Sequence, residues 1–256
     1  MTTDRIDAAT PAELGSSLKR LARIAGLLYL IVGIFGGFAI AYVTARVYVP
    51  GDAATTAANV VANAGLVRIG VVADLLQATV FVFLAMALFL LLKLVHRNAA
   101  TAMVILVAIA TTIMCLNKVF QVAALRVVGD GSYATALGGA GSNALVLLLL
   151  DMHNYGFLIA QIFFGLWLIP LGYLAYRSGM FPRPLGIVLV VGGASYLVDV
   201  LARFLVPDVG ESIHNYLAIA PTIAEVWMVG YLLVKGIRSS RGIAGQTPAI
   251  AVPALG

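Results

Sequence analysis

Six long apolar runs constrain this chain more than any other feature. They cover roughly 21–45, 66–92, 99–125, 143–176, 184–206 and 217–237. Each reaches the about 20 mostly apolar residues that a helix needs to cross a bilayer. Turn signals separate them: Pro50-Gly51-Asp52, Arg97-Asn98, Gly129-Asp130-Gly131, Phe181-Pro182-Arg183-Pro184 and Pro207-Asp208. Composition agrees. Of 256 residues, 62% are hydrophobic and 11% charged, against about 45–50% and about 25% in a soluble domain. That leaves too little polar surface to coat a water-soluble globule, and the apolar content excludes disorder of the whole chain. One cysteine, Cys115, excludes a disulfide scaffold and reads as an inert core residue. The predicted fold class is all-α: a polytopic membrane protein built as a bundle of six transmembrane helices in one domain, 19–238. Disordered ends are expected at 1–18 and 239–256.

Basic residues set the orientation. One side of the bundle carries Arg5, Lys19, Arg20, Arg23, Lys93, Arg97, Arg177, Arg183, Lys235, Arg238 and Arg241; the other carries only Arg46, Arg68 and Arg126, at span ends. The positive-inside rule then puts both termini in the cytoplasm. The net charge of +5 follows from these loops and from the anionic inner leaflet they face. No basic run or aromatic platform points to nucleic acid, so the bilayer is the expected partner. Val43-Thr44-Ala45 resembles a cleavage site, but the preceding run is too long for a signal peptide and Asp4, Asp7 and Glu13 spoil its basic start. A retained helix is predicted. Residues 53–64 are expected to form a short helix on the outer surface, with Asn59 and Asn63 on its polar side.

The six spans pair into three hairpins with a recurring pattern. Each outward helix ends near an arginine (Arg46, Arg126, Arg203), an acid follows at the turn (Asp52, Asp130, Asp208), and each returning helix carries one acid (Asp74, Asp151, Glu225). Repeats of this plan occur in transport folds. Helix ends alone also favour arginines and turn acids there.

The most informative feature is a polar layer. Asp74, Asp151, Asp199 and Glu225 each fall seven or eight residues from the outer end of an apolar span, and Lys118 lies at the same level. At about 1.5 Å per residue, that is about 10–12 Å deep. Helical spacing extends each site along one face: Asp74 with Gln77; Asn117 or Lys118 with Gln121; Asp151 with Asn154 and Gln161; Ser195 with Asp199 and Arg203. His153 falls nearly opposite Asp151. A charge at mid-bilayer costs at least about 2.5–3.5 kcal/mol, so these groups are expected to face inward as one cluster. Asp199–Arg203 is predicted as an intrahelical pair, and Lys118 is predicted to meet Asp151 or Asp74. Four acids against Lys118 and Arg203 leave at least one acid that must be protonated or hold a cation.

Three functions fit this layer. The first is an outward-facing polar pocket for a cation, proton or small polar molecule. The second is an intramembrane metal hydrolase using His153 with the acids. The third is a non-catalytic subunit whose buried pairs only hold helices together. No HExxH, GxSxG or cofactor motif is present. Gly33, Gly36, Gly37, Gly192 and Gly193 read as close helix-packing points. Asn154-Tyr155-Gly156 and Pro170 are expected to loosen or kink the fourth span.

Several segments also carry a resemblance. They include Ala22-Arg23-Ile24-Ala25-Gly26-Leu27-Leu28-Tyr29-Leu30, Val49-Pro50-Gly51-Asp52-Ala53, His153-Asn154-Tyr155-Gly156-Phe157, Arg177-Ser178-Gly179-Met180-Phe181-Pro182 and Tyr196-Leu197-Val198-Asp199. Together, over roughly 20–237, the chain resembles the bacterial integral-membrane family catalogued as domain of unknown function 4386. That resemblance implies a six-helix protein of a bacterial plasma membrane and brings no activity with it. It also implies an acid after Gly-x-Phe-Ala in the first helix, where this chain has Gly37-Phe38-Ala39 followed by Ile40.

Overall fold

A computed structural model describes residues 11–238. The first helix, α1 (Pro11–Gly37), starts with a proline, whose missing N–H costs nothing at a helix start. Residues 11–18, expected to be disordered, are therefore helical; the rest of that segment and the tail 239–256 lie outside the described residues. The helix runs on through a π-helical stretch, Phe38–Thr44, and a last α-turn, Ala45–Val47. Then follow α2 (Ala53–Ala62), α3 (Ala64–Leu92), α4 (Arg97–Gly129), α5 (Gly131–Ser178), α6 (Arg183–Leu205), α7 (Pro207–Leu217) and α8 (Ile219–Val234).

Local chemistry accounts for the boundaries. Asp52 caps α2, accepting from the Thr55 amide at 2.9 Å and the Thr55 hydroxyl at 2.7 Å. Asp130 caps α5 through the Ser132 amide at 3.0 Å. Two of the three turn acids in the hairpin pattern are thus helix caps. Gly138, at φ 71° and ψ 162°, breaks the start of α5. Gly179, at φ 66°, ends it in the left-handed conformation that glycine adopts freely. Between these two glycines α5 stays helical through Asn154-Tyr155-Gly156 and Pro170.

Six helical segments are long and apolar enough to cross a membrane: 15–47, 64–92, 97–129, 131–178, 183–205 and 207–234. Large apolar side chains such as Ile34, Phe83, Leu90, Leu116, Val226 and Val234 cover the outside, a surface suited to acyl chains and not to water. Cys115 belongs to this exposed belt, not to the core. The chain is a multi-pass helical membrane protein.

Neighbouring spans α1–α3, α3–α4, α4–α5, α5–α6, α6–α8 and α8–α1 pack together and close a ring. One half of the ring is solid. Phe81, Leu88, Met103, Trp167, Leu174 and Leu189 belong to a single buried cluster there. Reciprocal glycines bring α5 and α6 together: a Cβ on Gly172 would lie 2.6 Å from the Gly186 carbonyl oxygen, and one on Gly193 2.6 Å from that of Gly165. Such backbone approaches replace the hydrophobic drive that lipid cannot supply. Gly192 likewise abuts Pro221 of α8.

The other half carries two short helices. The expected surface helix is α2; its Thr56, Ala57 and Val60 are buried against the bundle, while Asn59 and Asn63 bond to local backbone carbonyls. Residues 207–216, between the fifth and sixth predicted spans, belong to α7, which folds back on α6. A Cβ on Gly210 would lie 2.6 Å from the Arg203 backbone, so only glycine permits this approach.

Candidate functional site

The ring opens into a cleft of about 880 Å³ at the end carrying the 48–63 and 206–218 connections. Helices α1, α3, α5, α6, α7 and α8 all contribute to its walls. Gly33 and Gly37, read from sequence as packing points, border this space instead: a Cβ on either would meet nothing within 4 Å. Gly36 packs against Gln77. Just beyond these glycines, the π-helical stretch of α1 places Ile40 and Thr44 on the wall, with the Thr44 hydroxyl donating to the Ala39 carbonyl at 3.0 Å. Widened turns of this kind re-aim side chains.

Seven of the polar residues singled out by sequence line the cleft: Gln77, Asp151, Asn154, Gln161, Asp199, Arg203 and Glu225. Each acid has neutral or imidazole partners. The Tyr48 hydroxyl donates to Asp151 at 2.5 Å. Burial first, and this bond second, push the Tyr48 phenol up to about 12, so it remains a donor at neutral pH. Glu225 accepts from the Tyr29 hydroxyl at 3.1 Å and from the Tyr196 hydroxyl at 3.3 Å, one on each oxygen. Asp199, 2% exposed, accepts from the Gln161 amide at 2.8 Å and lies 2.9 Å from His214 Nδ1.

This corrects the predicted Asp199–Arg203 pair. The register of α7 on α6 decides it. Gly210 sits at Arg203, and one turn along each helix His214 meets Asp199, whose oxygens are then occupied. Arg203 stays on the cleft wall and makes no ion pair among the described residues.

The other five predicted residues form a separate cluster. Lys118 bonds Asp74 across α4 and α3, as expected, and leans toward Gln121 at 3.5 Å. Asn117 donates to the His153 carbonyl at 2.7 Å and lies 3.1 Å from its ring. Asp74, Asn117, Lys118, Gln121 and His153 are all buried, and none of them lines the cleft. The single cluster expected from depth is therefore two. The polar face of α4 turns to its flanking helices and not to the ring interior. His153 is taken up by Asn117, whose Oδ1 fills the space left by the absent side chain of Gly156. His153 is thus parted from Asp151, Asp199 and Glu225, the acids a hydrolytic metal site would need. Among the described residues, no three His, Cys, Asp or Glu side chains converge at metal-binding range.

Sequence reasoning missed Tyr29, Tyr48, Tyr196, Glu211 and His214, all on the cleft. The tyrosines read as packing or interfacial anchors because span ends are rich in them. The spacing of four shared by Gly210–His214 and Asp199–Arg203 was the available signal for His214.

The profile of the family described as "Domain of unknown function (DUF4386)" matches residues 24–236, from within the first span to the end of the sixth. A protein of Archaeoglobus fulgidus named "Uncharacterized protein" is 27% identical over 163 residues, covering 64% of this chain and 81% of that one. No solved structure matches the chain. With the profile covering most of the chain, every cleft residue included, the chain belongs to the DUF4386 family.

Proposed function

We propose that this protein binds a small ligand in the cleft, as a membrane binding or transport protein for a cation, a proton or a small polar molecule. One observation carries the reading. Asp151, Asp199 and Glu225 share a cleft of about 880 Å³, and none of them has a lysine or arginine partner among the described residues. Uncompensated carboxylates inside a bundle are costly. Protein that only needed helix-to-helix glue would pair them as it pairs Asp74 with Lys118. The basic loops lie at the opposite end of the bundle, so by the positive-inside rule the cleft faces outward and both termini are cytoplasmic. A bacterial plasma membrane is the compartment in keeping with the family resemblance.

The test neutralises the acids one at a time. Asp151→Asn and Glu225→Gln should leave the protein inserted and monodisperse while weakening uptake or binding of the ligand. Variants that bind normally but fold poorly would make these groups architectural.

A further inference from the structure

We propose that the ligand is an amphipathic organic cation, with its ammonium at Glu225 and its apolar body against the aromatic floor of the cleft. The proposal rests on the binding reading above and narrows it to one chemical class.

The floor is aromatic. Trp167 lies 5.6 Å from Tyr29 and 5.0 Å from Phe81, centroid to centroid, and the Phe81–Trp167 pair meets edge to face. Phe164 continues the surface 6.1 Å from Phe81. All four rings border the cleft, as does Glu225. The margins of these rings give an apolar body a surface to lie against beside Glu225. The phenols of Tyr29 and Tyr196 donate to both Glu225 oxygens and bring no positive charge, so a cationic ligand is the partner that would balance the carboxylate.

Size and charge discard the other classes. The volume suits a drug-sized molecule, about 300–1,000 Å³, and far exceeds a bare ion. A dehydrated metal ion needs several converging oxygen ligands, and the acids of the described residues are not gathered that way. An anion would meet four carboxylates, Glu211 included, against Arg203 and the His214 imidazole among the described residues. A neutral polyol would leave the carboxylates uncompensated. Open space beside Gly33 and Gly37 gives the apolar body room on the α1 side.

The test uses the full chain in lipid nanodiscs, carrying Trp227→Phe so that Trp167 is the sole tryptophan. Benzyltrimethylammonium is titrated against tryptophan emission, with neopentylbenzene as its uncharged carbon isostere and sodium chloride as the bare cation. The expected result is saturable binding of benzyltrimethylammonium, weakened about tenfold or more by Glu225→Gln, with the isostere weaker by a similar factor. Gly33→Leu, whose side chain enters open space, should also weaken binding and serves if the Glu225 variant does not insert. Equal binding of the isostere would overturn the proposal, since the site would then be merely apolar. A response to sodium or to protons but not to the organic cation would overturn it too, while leaving the cleft a cation site. Silence from all three probes would overturn the proposal and leave the binding reading to the Asp151→Asn and Glu225→Gln variants above.

Discussion

Lys118 and Asp74 share a pocket with almost no access to water, their side chains 8% and 9% exposed. Removing one charge strands the other, and a stranded buried charge costs more than a missing contact. Lys118→Met should therefore destabilise the protein by about 3–5 kcal/mol. Asp74→Leu combined with Lys118→Met should recover most of that loss, because no charge is left without a partner. Denaturant unfolding of reconstituted protein measures both; a double variant as unstable as the single one would contradict an ion pair. Asp52 behaves differently because it is exposed. Its bonds to the Thr55 hydroxyl and amide hold its carboxyl below the usual carboxylate value. Its contribution is thus complete above that ordinary value and is lost as pH falls through the lower, folded one. Amide exchange at the start of α2 should quicken on acidification through that window. In Asp52→Ala it should be fast at every pH. An Asp52→Ala profile that kept the acid step would assign the titration to another group.

Between elements, the glycines divide into two kinds with opposite consequences. Gly172 and Gly193 hold α5 against α6, where an added methyl would meet a carbonyl oxygen at 2.6 Å. Gly193→Ala should cost about 1–3 kcal/mol, the usual penalty for overpacking. Gly37→Ala meets nothing within 4 Å and should stay within about 0.5 kcal/mol of the parent. Thermal unfolding separates the two, and equal effects would contradict the packing described. Gly210→Val should lift α7 from α6 and part His214 from Asp199, which imidazole chemical shifts would report. Much of this level was legible beforehand. Apolar runs gave six spans, carboxylates within them pointed to Asp151, Asp199 and Glu225 of the cleft, and the helical period placed Asp151 and Asn154 on one face. The period says which side chains share a face and not which neighbour that face meets, so the split between cleft and Lys118 cluster was hidden. The π-helical stretch 38–44 has no sequence signature here, and Pro207-Asp208 disguised α7 as a turn.

At the scale of the whole molecule, the bundle is solid at one end and hollow at the other. Leu88, Met103, Leu174 and Leu189 close the end that the basic loops assign to the cytoplasm, and the acid-lined cleft opens at the opposite end. On the proposed reading, such asymmetry makes the cleft a ligand site reachable from one side, with a seal beneath it. Moving a ligand across would require the seal to part, and the close α5–α6 crossing at Gly172 and Gly186 is one contact in the way. The central claim is that water and solutes reach the carboxylates from outside. Cys115→Ala removes the native thiol, and Gly33→Cys then places a single one on the cleft wall, where the side chain has room. In intact cells, a charged, membrane-impermeant thiol reagent should modify this cysteine from the outer side, as no lipid-facing cysteine on the same helix should be. Failure to react from either side, or reaction only from the cytoplasm, would contradict the account.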